Sequence, residues 1–253
     1  MITWQPSLLG HAQPSVDPLL VGITRVSLAE NAWIDTLRGW VSGHDTLFER
    51  LWRTTDWQSS RRVMYDREID VPRLFGKIGE DGPGDPILER IRDALSSHYQ
   101  RPFGAPYMAL YRDGRDSVAW HRDRELSLDD SLTALVSVGE PRGFQIRPVG
   151  GRICNKFKVG WGDLVVLGGA TQAGFEHCIP KVASAGPRIV IMYRWTALPP
   201  RGQGTCQLED VLDTGGEVCR AVVGEGDQPI PDEHRTWPTV NDRGQRGANV
   251  VGT

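Results

Sequence analysis

Arg188-Ile189-Val190-Ile191-Met192-Tyr193-Arg194, entered through Gly186-Pro187, is a β-branched apolar run with a guanidinium at each end. A run this short and this rich in isoleucine and valine reads as a buried strand, and arginine rarely enters such a strand unless something answers its charge. The same kind of segment recurs upstream. Strands are expected near 106–111, 117–121, 132–138, 143–148, 153–158, 163–168, 174–178 and 188–195, with glycine-rich turns between them. Eight short strands in succession specify a mainly β chain, folded as a sandwich or jelly roll.

Helices are expected to flank this β region. Residues 1–26 are rich in proline, glycine and short polar side chains and read as an extended N-terminal arm. Ser27-Leu28-Ala29-Glu30 has the form of a capping box, and Trp33, Leu37, Trp40 and Val41 make an apolar stripe, so a helix is expected to start near Ser27. A second, short helix is expected near Asp45, with Leu47, Phe48, Leu51 and Trp52 apolar; Trp57 to Leu74 reads as irregular extended chain. Pro86 suits the first turn of a third helix that carries Ile87, Leu88, Ile91 and Leu95 and stops before Arg101-Pro102. Beyond Pro199-Pro200 the chain turns glycine-rich and poor in large apolar residues. The expected organisation is an arm, a domain over 27–200 and a disordered tail over 201–253.

Composition narrows the class. Hydrophobic content of 39% and nine tryptophans suit an ordinary globular protein of 253 residues, and no run approaches the ~18 apolar residues of a membrane span. No secretion signal is visible at the N-terminus, and Cys154, Cys178, Cys206 and Cys219 form no Cys-x-x-Cys pair; a reducing, cytoplasmic setting is expected, with no membrane and no stable protein partner. The net charge of −3 comes from the tail, where 201–253 carries nine acidic and five basic side chains. The rest is close to neutral, and its positive charge is nearly all arginine, the residue suited to phosphate and carboxylate contacts.

Within the β region, Trp120-His121-Arg122-Asp123 places an imidazole and a carboxylate two residues apart, and His177 follows 56 residues after His121. On an extended strand that spacing puts both side chains of the pair on one face. Two imidazoles and one carboxylate form the facial ligand set of iron(II), which leaves positions open for a chelating co-substrate and dioxygen. By itself a His-x-Asp pair is also met in solvated loops with a satisfied histidine. Arg188 and Arg194 supply fixed positive charge downstream, and iron beside an acid-binding arginine points to 2-oxoglutarate. Cys178, next to His177, faces the other way on a strand and reads as packing.

Four stretches resemble the AlkB family of Fe(II)/2-oxoglutarate-dependent dioxygenases: Tyr111-Arg-Asp-Gly-Arg-Asp-Ser-Val-Ala-Trp-His121-Arg-Asp123; Ser137-Val-Gly-Glu-Pro-Arg142-Gly-Phe144; Gly162-Asp163-Leu-Val-Val with His177 beyond it; and Arg188 to Arg194. With Val71-Pro72-Arg73 they cover about residues 45–196. The resemblance implies a double-stranded β-helix core in which His121, Asp123 and His177 hold iron while Tyr111, Arg188 and Arg194 hold 2-oxoglutarate. It also implies oxidative demethylation of alkylated nucleic-acid bases. Tyr65 stands where relatives carry the aromatic that stacks on a flipped base, and Glu125 where an acidic residue often reads the base edge. An ordinary strand aromatic and a solvated carboxylate are the alternatives. Arg73, Arg112, Arg115, Arg122 and Arg124 could line a phosphate path or be plain surface charges.

The chain departs from the family pattern at Ala109 and Val190, where asparagines are usual, and at Arg124, where an acidic residue is usual. The first two departures fall around the co-substrate pocket. They leave open an AlkB-like hydroxylase or demethylase of a protein side chain or small metabolite. A binding module that keeps the barrel without catalysis would carry a broken triad, and a cupin-like metalloenzyme would leave Arg188 and Arg194 without a purpose.

Overall fold

A computed structural model describes residues 12–64, 67–77, 85–123 and 130–196. After two short strand segments and two edge hairpins, eight strands form the barrel: β7 (Tyr107–Tyr111), β8 (Val118–His121), β9 (Ser131–Gly139), β10 (Arg142–Pro148), β11 (Asn155–Val159), β12 (Asp163–Gly169), β13 (Phe175–Ile179) and β14 (Arg188–Thr196). β8, β10, β11 and β13 make a four-stranded sheet in the order β11-β10-β13-β8; the others belong to an eight-stranded sheet. From β7 to β14 the chain changes sheet at every connection except the β10–β11 hairpin, which is jelly-roll winding, the double-stranded β-helix. The strands expected from hydrophobic runs are all present, and the segment around Ile189 to Tyr193 pairs on both sides, with β7 and with β9.

The larger sheet is completed by β2 (Thr24–Ala29) and β3 (Ala32–Leu37) at one edge and by β5 (Trp57–Met64) and β6 (Arg67–Lys77) at the other; β1 (Ser15–Val16) pairs with β4 (Val41–Ser42). The N-terminal expectations are corrected here. Residues 24–37 form a hairpin turned at Glu30-Asn31, with no helix from Ser27, and the arm joins the fold from Ser15 onward. The cause is tertiary. β3 adds to β12 over six residue pairs, and the hairpin sets Arg25 directly across from Asp35, where two 2.7 Å hydrogen bonds close a bidentate ion pair that Tyr99 Oη joins at 2.9 Å. A helix would separate those partners, so sheet pairing overrides a weak local capping signal. The stretch from Trp57 is likewise more regular than expected, a long hairpin.

Two helices cover one face of the large sheet, α1 (His44–Thr54) and α2 (Pro86–Tyr99), both where sequence placed them. Asp85 caps α2 by accepting the Ile87 N–H, and Pro86 fills its first turn. Leu47, Phe48, Leu51, Ile87, Leu88, Ile91 and Leu95 pack on Leu110, Val136, Val138, Val166, Ile189, Ile191 and Tyr193. Alternation therefore turns the other residues of these strands, Arg188, Val190, Met192 and Arg194 among them, to the opposite face, toward the small sheet. In the turn between β11 and β12, Trp161, half exposed, holds a left-handed φ of +47° between Gly160 and Gly162. Trp161→Gly is expected to stabilise the fold by about 1 kcal/mol, since relief of backbone strain exceeds the added unfolded-state entropy; urea denaturation measures it.

Candidate metal and co-substrate site

β8 and β13 pair so that His121 lies directly opposite His177, and the two rings leave the same face of the small sheet with centroids 4.2 Å apart. Phe144, on neighbouring β10, stacks on His177 at 5.4 Å. Nδ1 of His121 lies 2.9 Å from the Ala119 carbonyl oxygen. That contact requires a proton on Nδ1 and leaves the Nε2 lone pair for a ligand. Asp123 corrects the strand argument, because β8 ends at His121 and Asp123 lies beyond it. Its carboxylate is oriented by partners instead: Arg194 Nη2 donates to Oδ2 at 2.9 Å, and Oδ1 stands 3.8 Å from His121 Nε2. One ligand atom from each of His121, Asp123 and His177 can be chosen so that all lie within 4.8 Å of one another.

The electrostatics suit a cation. Burial, reinforced by the neighbouring His121, pushes the His177 imidazole down to about 3, and burial likewise lowers His121. Burial alone would raise the Asp123 carboxyl, but Arg194 and the two imidazoles outweigh it and hold the group below its ordinary value. The site therefore offers two neutral imidazoles and one carboxylate, the donor set of a facial iron(II) centre. The stability that His177 contributes by staying neutral is complete above its ordinary value of 6.5 and is lost as pH falls toward 3. Metal-free protein is thus expected to weaken toward urea between neutral and mildly acidic pH, and His177→Leu is expected to flatten that dependence.

Arg188 and Arg194 stand six residues apart on β14, about 20 Å along the strand, and share its inward face. Arg188 is 2% exposed, with its guanidinium 5.3 Å from the Tyr111 ring and Nη2 donating to Ser137 Oγ at 2.8 Å. Its Nε and Nη1 are buried without hydrogen-bond partners among the described residues, and burial pushes the group down to about 10. A buried cation with two unanswered donors fits a carboxylate ligand. Tyr111 and Arg188 are direct cross-strand partners, so the structure brings together two of the three residues expected to hold the co-substrate. Arg194 instead reaches Asp123. Val190 and Ala109 face each other in the next rung, both buried. The two positions that lack asparagine thus form one apolar patch beside Arg188.

Arg73 lies close enough for its charge to disfavour protonation of both imidazoles, and its guanidinium sits 4.9 Å over the Phe75 ring. The phosphate-path reading finds less support elsewhere, since Arg112 pairs with Asp116 at 2.8 Å, Arg115 pairs with Asp113 at 2.7 Å, and Arg122 donates to the Ala173 carbonyl at 2.8 Å. Tyr65, Glu125 and Arg124 lie outside the described residues, as does the tail. Sequence reasoning missed Gln172, which contacts Asp123, and the role of Arg142, buried and donating to the carbonyls of Asp113, Asp116 and Pro180. A glutamine after Gly168-Gly169-Ala170-Thr171, just ahead of the third ligand, was the available signal.

The family model described as the 2OG-Fe(II) oxygenase superfamily matches residues 79–197. Alpha-ketoglutarate-dependent dioxygenase alkB homolog 3 of Bos taurus is 29% identical over 204 residues, covering 72% of this chain and 69% of the relative. DNA oxidative demethylase ALKBH2 of Homo sapiens is 26% identical over 176 residues, covering 59% and 67%. A solved structure of OsALKBH1 aligns with a TM-score of 0.46 at 13% identity, over 68% of this chain and 100% of that one. The superfamily match and the AlkB relatives support a 2OG-Fe(II) oxygenase of the AlkB type, an oxidoreductase that uses Fe(II), 2-oxoglutarate and dioxygen.

Proposed function

We propose that the protein removes methyl groups from alkylated bases in DNA or RNA, with His121, Asp123 and His177 holding iron and Tyr111, Arg188 and Arg194 holding 2-oxoglutarate. The observation that carries the oxidant half is the buried Arg188 guanidinium with unanswered donors, on the same strand face as the arginine paired to Asp123. When bound, iron with 2-oxoglutarate and dioxygen supplies oxidising chemistry in which the co-substrate yields succinate and carbon dioxide and one oxygen atom hydroxylates the N-methyl carbon, which then leaves as formaldehyde. The chain's own part is placement. Arg188 neutralises the far carboxylate, Tyr111 donates to it, and Arg194 answers charge at the metal end while fixing Asp123.

The substrate half of the reading is supported by the AlkB relatives, one of them a DNA oxidative demethylase, and by the Arg73 guanidinium, whose charge acts on both imidazoles. Tyr65, as a stacking platform, and Glu125, on the base edge, belong to the same proposal, as does a cytoplasmic location. The test is a panel of methylated single- and double-stranded oligonucleotides incubated with iron and 2-oxoglutarate and scored by mass spectrometry. Loss of one methyl group with matching formaldehyde and succinate is expected. Succinate without consumption of any methylated base would sink the nucleic-acid assignment. It would favour the second reading, hydroxylation of another substrate, for which the apolar pairing of Ala109 with Val190 is the specific motive.

A further inference from the structure

We propose that Gln172 acts with Arg194 to position Asp123 for metal binding. This rests on the reading of Asp123 as an iron ligand. The need for such a residue follows from the end of β8 at His121: Asp123 lies outside the ladder, so neither strand alternation nor a backbone pairing fixes its side chain. Gln172 meets that need from α3 (Thr171–Gly174), the single turn between β12 and β13.

The glutamine is 1% exposed, and each end of its amide faces the matching group. Oε1 accepts the Asp123 backbone N–H at 3.1 Å, while Nε2 is 3.4 Å from Asp123 Oδ2 and 3.4 Å from Thr133 Oγ1. Rotating the amide would put an acceptor against the carboxylate and a donor against an N–H, so only one orientation satisfies all the contacts. With Arg194 on the same oxygen, Oδ2 is held by two donors, and Oδ1 is the oxygen left toward His121.

The turn that carries Gln172 is itself anchored. Thr171 Oγ1 has the carbonyl oxygens of Gly168, at 2.7 Å, and Trp33, at 3.0 Å, in reach of its one O–H, and accepts the Trp33 N–H at 3.1 Å. On the other side, Arg122 Nη1 donates to the Ala173 carbonyl at 2.8 Å. The segment from His121 to Asp123 is thereby clasped to α3 at two successive residues. Gln172 also joins the two sheets, because Thr133 is the β9 partner of Arg194. An outer residue that orients a ligating carboxylate contributes to metal affinity without touching the metal.

The test uses Co(II), which is stable to air and reports its ligands in visible absorption, with the full chain and with Gln172→Met and Gln172→Asn. Met keeps the bulk and loses both polar ends; Asn keeps the amide but is one methylene too short. Each folded variant is expected to bind Co(II) about 10- to 100-fold more weakly, with an altered absorption envelope, while the metal-free melting temperature stays near that of the parent. Binding within about threefold of the parent by either folded variant would overturn the assignment, since loss of an orienting hydrogen bond costs more than that. If the parent itself gives no Co(II) spectrum, the iron-site reading fails first, and the two failures are thus told apart.

Discussion

Asp123→Asn is expected to lower Fe(II) affinity by more than about 100-fold, beyond the range found when only an outer partner of a ligand is lost, and to bring turnover to the level of metal-free protein. The substitution keeps the side chain's shape but removes the one negative charge among the three proposed ligand residues. It also removes the negative charge that Arg194 meets at 2.9 Å, in a place where Asp123 is the leading influence raising His121 toward its charged form. Removing the charge of one member of a largely buried ion pair costs about 3 kcal/mol, so the melting temperature is expected to drop as well. Adding Fe(II) separates the effects: it should raise the melting temperature of the parent and leave that of the variant unchanged.

Arg188→Met is expected to raise the dissociation constant for 2-oxoglutarate between about 30-fold and several thousand-fold, the equivalent of truncating one side of a buried charge pair at about 2–5 kcal/mol. Its distinguishing mark is stability. Among the described residues Arg188 hydrogen-bonds to Ser137 Oγ and to no carboxylate, its Nε and Nη1 are unsatisfied, and burial pushes it down to about 10. Removing such a group relieves desolvation and leaves an apolar side chain beside Val190 and Ala109, so the metal-free melting temperature should hold or rise. A variant that merely damaged the fold would lose stability and binding together. Isothermal titration with 2-oxoglutarate and a thermal melt on the same sample decide between them.

The barrel was legible because its strands read as short segments closed by turns, the helix at His44 because of its apolar spacing, and the helix at Pro86 because capping and apolar spacing agree there. The hairpin from Thr24 to Leu37 was not legible. Ser27-Leu28-Ala29-Glu30 carries a helical cap locally, while the forces that decide the matter, addition to β12 and the Arg25–Asp35–Tyr99 network, come from residues distant in sequence. At the site, His121 and His177 follow from strand pairing. Asp123 was found for an inapplicable reason, since its orientation depends on Arg194 and Gln172, reached through 71 and 49 residues of intervening sequence separation. Gln172 is marked in the sequence only by its place between Gly168-Gly169-Ala170-Thr171 and His177, which does not indicate what it will face once two sheets close.

The most direct measurement is anaerobic absorption spectroscopy on the iron-loaded protein as 2-oxoglutarate is added. If His121, Asp123 and His177 hold Fe(II) with positions left open, and Arg188 and Arg194 bring the co-substrate to it, a visible metal-to-ligand charge-transfer band should grow to saturation. The band should be absent in Asp123→Asn and require far more co-substrate in Arg188→Met. No band in the parent, with iron demonstrably bound, would contradict the assignment of these residues to one Fe(II)/2-oxoglutarate centre.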